Sequence, residues 1–116
     1  MKKKIVSLFL TLTMVLAMTI PVFAGSYSSD GYYEGSYYEI VESCTSNSFS
    51  CSTFCMDYTT ETYVKAYLAD GDYVVGSGGP TMGASTASGS TGTAISRVST
   101  THRVNDHIVR TNTITP

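Results

Sequence analysis

The sequence predicts an all-β domain, a small antiparallel β-sandwich of Ig-like proportions, behind a cleaved N-terminal signal helix. Three observations carry this. Beyond residue 24, apolar and polar residues alternate with period two, and no run keeps a helical period. Turn residues punctuate the alternating runs at short intervals. Ser, Thr and Tyr dominate, with all nine Tyr between Tyr27 and Tyr73. Such a chain forms helices poorly and strands well.

The first 24 residues read as an export signal. Lys2, Lys3 and Lys4 precede an apolar run from Ile5 to Val22, and Val22-Phe23-Ala24 places small residues where a signal peptidase cuts, before Gly25. Pro21 and the cleavage pattern argue against a membrane anchor, and no Cys follows the run to take a lipid. The expected product is secreted, extracellular or envelope-associated, with no membrane anchor after cleavage. Residues 25–35, rich in Tyr, Ser and Gly, are expected as a flexible lead-in, and residues 36–116 as one domain.

Within that domain, Ser36 to Ser43 suits a first strand and Phe49 to Tyr58 a second, across the turn residues Thr45-Ser46-Asn47-Ser48. The stretch "TYVKAYLADGDYVVG" is the clearest hairpin. Thr62, Val64, Ala66 and Leu68 share one face, Tyr63, Lys65 and Tyr67 the other, and Asp70-Gly71 supplies the turn into Tyr73-Val74-Val75. Residues 76–91 are Gly, Ser, Thr and Ala with little to bury, so a long mobile loop is expected. Thr93 to Val104 alternates again and returns through Asn105-Asp106 into His107 to Ile114. A two-residue turn would set Val104 opposite His107 and His102 opposite Val109. It would bury the face with Val98, Val104 and Val109, leaving the three Arg wet.

From Gly25 onward the chain has four Lys or Arg against nine Asp or Glu, a net charge of −5. That argues against nucleic acid or an anionic membrane as partner. Eight of the acids precede Tyr73, and three of the four cations follow it, so the two halves are expected to attract on packing.

Several stretches suggest chemistry. Gly76-Ser77-Gly78-Gly79-Pro80 resembles the nucleophile loop of trypsin-like serine proteases, with Gly76 where that family has Asp. That mechanism needs a His base and an orienting acid. The family places both before the Ser, whereas His102 and His107 follow it. Nor does a Lys follow the glycines, as a phosphate loop requires. The carboxylates Glu34, Glu39 and Glu42 read as solvated charge rather than a glycosidase pair. Catalytic and cofactor-binding residues are therefore expected to be none.

Cys44, Cys51 and Cys55 allow one bridge after export. On one strand, Cys51 and Cys55 would stand about 13 Å apart, beyond the roughly 7 Å a disulfide spans. Cys44 is thus the expected shared partner, and the Ser46-Asn47 turn favours Cys44–Cys51 over Cys44–Cys55. Cys51-x3-Cys55 also has zinc-like spacing, but His102 and His107 sit in a distant hairpin, so no metal is assigned. Tyr32, Tyr33, Tyr37 and Tyr38 are the candidate partner-binding residues, able to present flat amphipathic rings to a protein or glycan surface.

The resulting expectation is a small secreted non-enzymatic binding or structural module of the envelope or extracellular space, without a cofactor. A second reading is a secreted toxin. In its short exported chain and Ser/Thr/Gly/Tyr-rich composition the sequence resembles lactococcin 972-like bacteriocins in plan only. The Cys cluster and the absence of Trp depart from that plan.

Overall fold

The computed structural model describes residues 25–116; the expected leader, residues 1–24, lies outside the described residues. Six strands follow one another: β1 (Gly25–Tyr33), β2 (Ser36–Cys44), β3 (Ser48–Leu68), β4 (Tyr73–Ser90), β5 (Ile95–Val104) and β6 (His107–Ile114). All pair antiparallel in one sheet of order β1-β2-β3-β5-β6, with β4 also paired to β3. The sheet coils until it nearly closes into a barrel.

The long β3 explains the closure. Its 21 residues would run about 70 Å if straight at 3.3 Å each, yet the molecule measures 45 × 30 × 17 Å. The strand must therefore bend. It does so where the β3–β4 register shifts, between Cys55 and Thr59 and between Thr60 and Thr62. Across from the bend, β4 carries Gly79 (φ 87°), a cis Gly79-Pro80 bond and Gly83 (φ 91°). The first half of β3 pairs with β2 and the second half with β5. Bending thus lays β2 over β5 and β1 over β6. One folded sheet supplies both layers that the expected sandwich would draw from two. The 17 Å thickness matches two backbone layers about 10 Å apart plus their pleat.

Two expected irregular segments are strands. The lead-in 25–35 is mostly β1, whose alternation sends Tyr27, Ser29 and Tyr33 toward the interior. Gly31 is required there, because a Cβ would sit 2.6 Å from the Tyr38 hydroxyl. Glu34 and Gly35 (φ 46° and 79°) then form a turn with both central residues left-handed, the type that suits strand twist. The expected mobile loop 76–91 is mostly β4. Its glycines permit packing: a Cβ on Gly76 or Gly89 would strike the Phe49 ring at 2.8 or 2.7 Å, and one on Gly78 would lie 2.2 Å from the Thr86 carbonyl oxygen. The two halves of β4 fold onto each other, and only a residue without a side chain lets the backbones approach so closely.

The β5–β6 hairpin turns at Asn105-Asp106 (φ 51° and 64°) and sets Val104 opposite His107, as expected. A bulge between His102 and Arg103 then shifts the register, so His102 faces Arg110 rather than Val109. Arg110 consequently does not join Arg97 and Arg103 outside. It turns into the β1–β6 seam, where Nη2 donates to Ser29 Oγ at 3.0 Å and the guanidinium lies 5.9 Å from the Tyr27 ring. No ladder joins β1 to β6; side chains span that gap.

Buried apolar residues form two clusters. One gathers Phe49, Cys51, Val64, Ala66, Ala87, Ile95 and Val98 with Cys44 and Ile114. The other holds Tyr38, Ile40, Cys55 and Val104. Buried polar residues, including Glu42, Thr53, Thr62, Thr100 and His102, complete the interior.

Candidate functional site

The interior places Glu42 of β2 against His102 of β5, both fully buried, with Nε2 to Oε2 at 2.5 Å. Thr100 Oγ1 donates to the same carboxylate oxygen, and Asn112 Nδ2 donates to Oε1 at 2.9 Å. His102 Nδ1 meets Thr53 Oγ1 at 2.7 Å, Thr53 meets Thr62 at 2.8 Å, and Thr62 meets Ser85 Oγ at 2.9 Å. With a neutral imidazole, Nε2–H donates to Glu42, and the hydroxyls of Ser85, Thr62 and Thr53 each donate one step toward Nδ1. With a protonated imidazole all three hydroxyls reverse. Both orders leave every group bonded, which a buried network requires. Burial pushes the Glu42 pKa up, but hydrogen bonds from His102, Thr100 and Asn112 outweigh it, so the net shift is downward and the carboxylate stays ionised.

Carboxylate, imidazole and hydroxyl here have the connectivity of a hydrolase triad. The hydroxyl, however, belongs to Thr53, which is 0 % exposed. The network is sealed, and it ties β2, β3, β4, β5 and β6 together. His102 lies on the expected buried face, whereas Glu42, expected as solvated charge, is buried. The alternation of Tyr38, Ile40, Glu42 and Cys44 carried the missing signal, because Glu42 shares a face with three apolar residues.

The three cysteines are free and buried. Cys44 lies opposite Phe49 and Cys51 opposite Glu42, so the two face inward from diagonal positions and the expected Cys44–Cys51 bridge is not formed here. Burial, with the Glu42 charge second, pushes their thiols up to about 11 and about 12, and a thiol so held is a poor nucleophile. Cys55 sits in the other cluster, 3.3 Å from Ser36 Oγ, which donates to Asp57 Oδ2 at 2.8 Å. The His residues do not converge: His107 lies at the exposed turn, with Nδ1 2.8 Å from the Asn105 carbonyl and 3.0 Å from the Tyr33 hydroxyl. Among the described residues, no three His, Cys, Asp or Glu side chains group to hold a metal. Ser77 is exposed, opposite Tyr63.

The four expected contact tyrosines divide by alternation. Tyr38 is core, and Tyr33 packs edge-on against Tyr58. Tyr32 and Tyr37 face outward, rings 5.6 Å apart. Tyr37 donates to Asp30 and Glu39; burial first, then these carboxylates, raise its pKa. This outer face is acidic.

The outer face across β4, β3 and β5 differs. Register aligns Tyr73, Tyr67 and Arg97 in one row, Val75, Lys65 and Ser99 in the next, and Ser77, Tyr63 and Thr101 in a third. Arg97 lies 3.9 Å over the Tyr67 ring, and Lys65 Nζ lies 5.2 Å from Tyr67 and 4.2 Å from Tyr73. Tyr63, Tyr73 and Val75 are 44, 52 and 46 % exposed. Beside them a cleft of about 340 Å³ is lined by Glu61, Tyr63, Thr101 and Arg103. The hairpin that carries this face was legible in the sequence; the rows were not, because they depend on the β3–β5 pairing.

No protein-family model, no curated protein and no solved structure matches this chain.

Proposed function

We propose that the protein is a secreted, non-enzymatic binding module of the extracellular space or cell envelope, and that its contact surface is the outer face of β3, β4 and β5. One observation carries the reading: large apolar and aromatic side chains stand exposed beside Lys65 and Arg97 on paired strands. Exposed aromatic and Arg side chains on a rigid support are the usual anchors of a binding surface. We read the folded sheet as a sandwich-type scaffold whose use lies in its two broad outer faces. The sealing of Thr53 and the buried thiols favour binding over catalysis. The partner is a glycan or protein surface reached after export.

The test uses protein exported from cells expressing the full chain, applied to purified envelope material. Retention should be lost in a Tyr63→Ser, Tyr73→Ser double variant and kept in Tyr32→Ser, Tyr37→Ser. Absence of retention by the unaltered protein would sink the reading. Growth inhibition of neighbouring bacteria without retention would replace it with the toxin.

A further inference from the structure

We infer that the outer face of β3, β4 and β5 takes a linear anionic polysaccharide; this rests on the binding-module reading and names its ligand class. Lys65, Arg97 and Arg103 stand on this one face of a chain whose described part carries nine acids. Among the described residues, neither Lys65 nor Arg97 has a carboxylate within ion-pair distance. Each instead lies against a tyrosine ring, which holds the cation in place without neutralising it. Arg103 has only a long, exposed contact with Asp106, at 3.9 Å, of a kind that contributes little. Three cations therefore await an anion.

Their spacing selects an extended one. Arg97 and Arg103 are six residues apart on β5, about 20 Å along the strand. Lys65 sits opposite Ser99, about 7 Å from Arg97 on the same axis. Between the cations stand the hydroxyls of Ser99 and Thr101. A compact anion would meet at most two of these charges, whereas a chain with repeating charge can meet all three.

The cleft argues for sugar rather than a bare polyanion. Tyr63 offers a partly exposed ring as a floor, Arg103 and Thr101 offer donors, and Glu61 offers a carboxylate that accepts from hydroxyls. That carboxylate favours a hydroxyl-rich ring and repels a phosphodiester. Nucleic acid is thus the disfavoured polyanion, consistent with the net charge. A carboxylated glycan combines spaced anions with ring hydroxyls and is the favoured ligand.

The experiment measures binding of the exported protein to four probes: polygalacturonate, poly(glycerol phosphate), dextran and single-stranded DNA. Binding is expected to polygalacturonate and not to poly(glycerol phosphate), a phosphodiester chain without sugar rings. Raising salt from about 50 to about 200 mM should weaken it on the order of tenfold, as displacement of two or three ion contacts requires. A Lys65→Gln, Arg97→Gln variant should lose on the order of tenfold in affinity with its melting temperature unchanged. Equal or tighter binding to poly(glycerol phosphate), dextran or DNA overturns the ligand class while leaving the binding-module reading standing. Retention on envelope material with none of the four probes bound does the same. Absence of retention on envelope material and on every probe overturns both.

Discussion

Two regions of the interior are equally dry but are held by different forces. Around Phe49, Val64, Ala66 and Val98 the layers meet through apolar surface alone. Around Glu42, His102 and Thr53 they meet through directional bonds between charged and hydroxyl groups. Apolar burial stabilises roughly in proportion to area and tolerates small slips of one layer over the other. The polar chain does not, because its hydrogen bonds weaken steeply when donor and acceptor move out of line. Area supplies much of the stability, while the polar chain sets which residue of β2 lies over which residue of β5.

Removing one member of the polar chain should do the most damage. His102→Ala leaves the Glu42 charge buried without its partner and is expected to cost about 3–5 kcal/mol, read from urea unfolding. Val98→Ala, in the apolar region, should cost about 2 kcal/mol. Equal costs would erase the distinction.

Next comes a test on backbone approach. Gly78→Ala forces a Cβ onto the Thr86 carbonyl and should cost about 1–3 kcal/mol. Gly92→Ala, where nothing lies within 4 Å, should stay within about 0.5 kcal/mol. A neutral Gly78→Ala would mean that the halves of β4 do not pack as described.

Acid should loosen the polar region selectively. Glu42 titrates in the folded protein below its unfolded value of roughly 4.3. Its contribution is therefore complete above that value and is lost as pH falls through the folded pKa. The urea midpoint should drop as pH falls below about 5, and Glu42→Gln should flatten this slope even though the variant starts less stable. An unchanged slope would remove Glu42 from the account of acid sensitivity.

The smallest effect belongs outside. Tyr73→Ser, on a residue 52 % exposed, should shift stability by no more than about 0.5 kcal/mol. A larger loss would make that tyrosine part of the scaffold rather than of a contact surface.

Much of the fold was legible because strand alternation is a local property. The sides of Thr62, Val64 and Ala66, and of Val98, Thr100 and His102, follow from period two alone. The failures share one origin. The Gly/Ser stretch of β4 shows no alternation because it has almost no side chains to alternate; its strand character comes from pairing with β3. Arg110 faces inward because a bulge at the adjacent Val109, where β6 has one residue more than β5, slips the register, and nothing around Ile108 and Val109 announces one. The Tyr32, Tyr33, Tyr37 and Tyr38 group was visible as a cluster, but pleating divides it between core and surface.

The all-β class, the turns at Asn105-Asp106 and around Asp70-Gly71, and the buried faces of the hairpins follow from local pattern, since each depends on a few neighbouring residues. That β3 and β4 fold over, that Glu42 meets His102 some 60 residues away, and that Arg97 joins Lys65 and Tyr67 on one outer face arise in the folded chain alone. Those outcomes depend on which strands become neighbours, and that choice is made by the packing of the whole chain rather than by any short stretch of it.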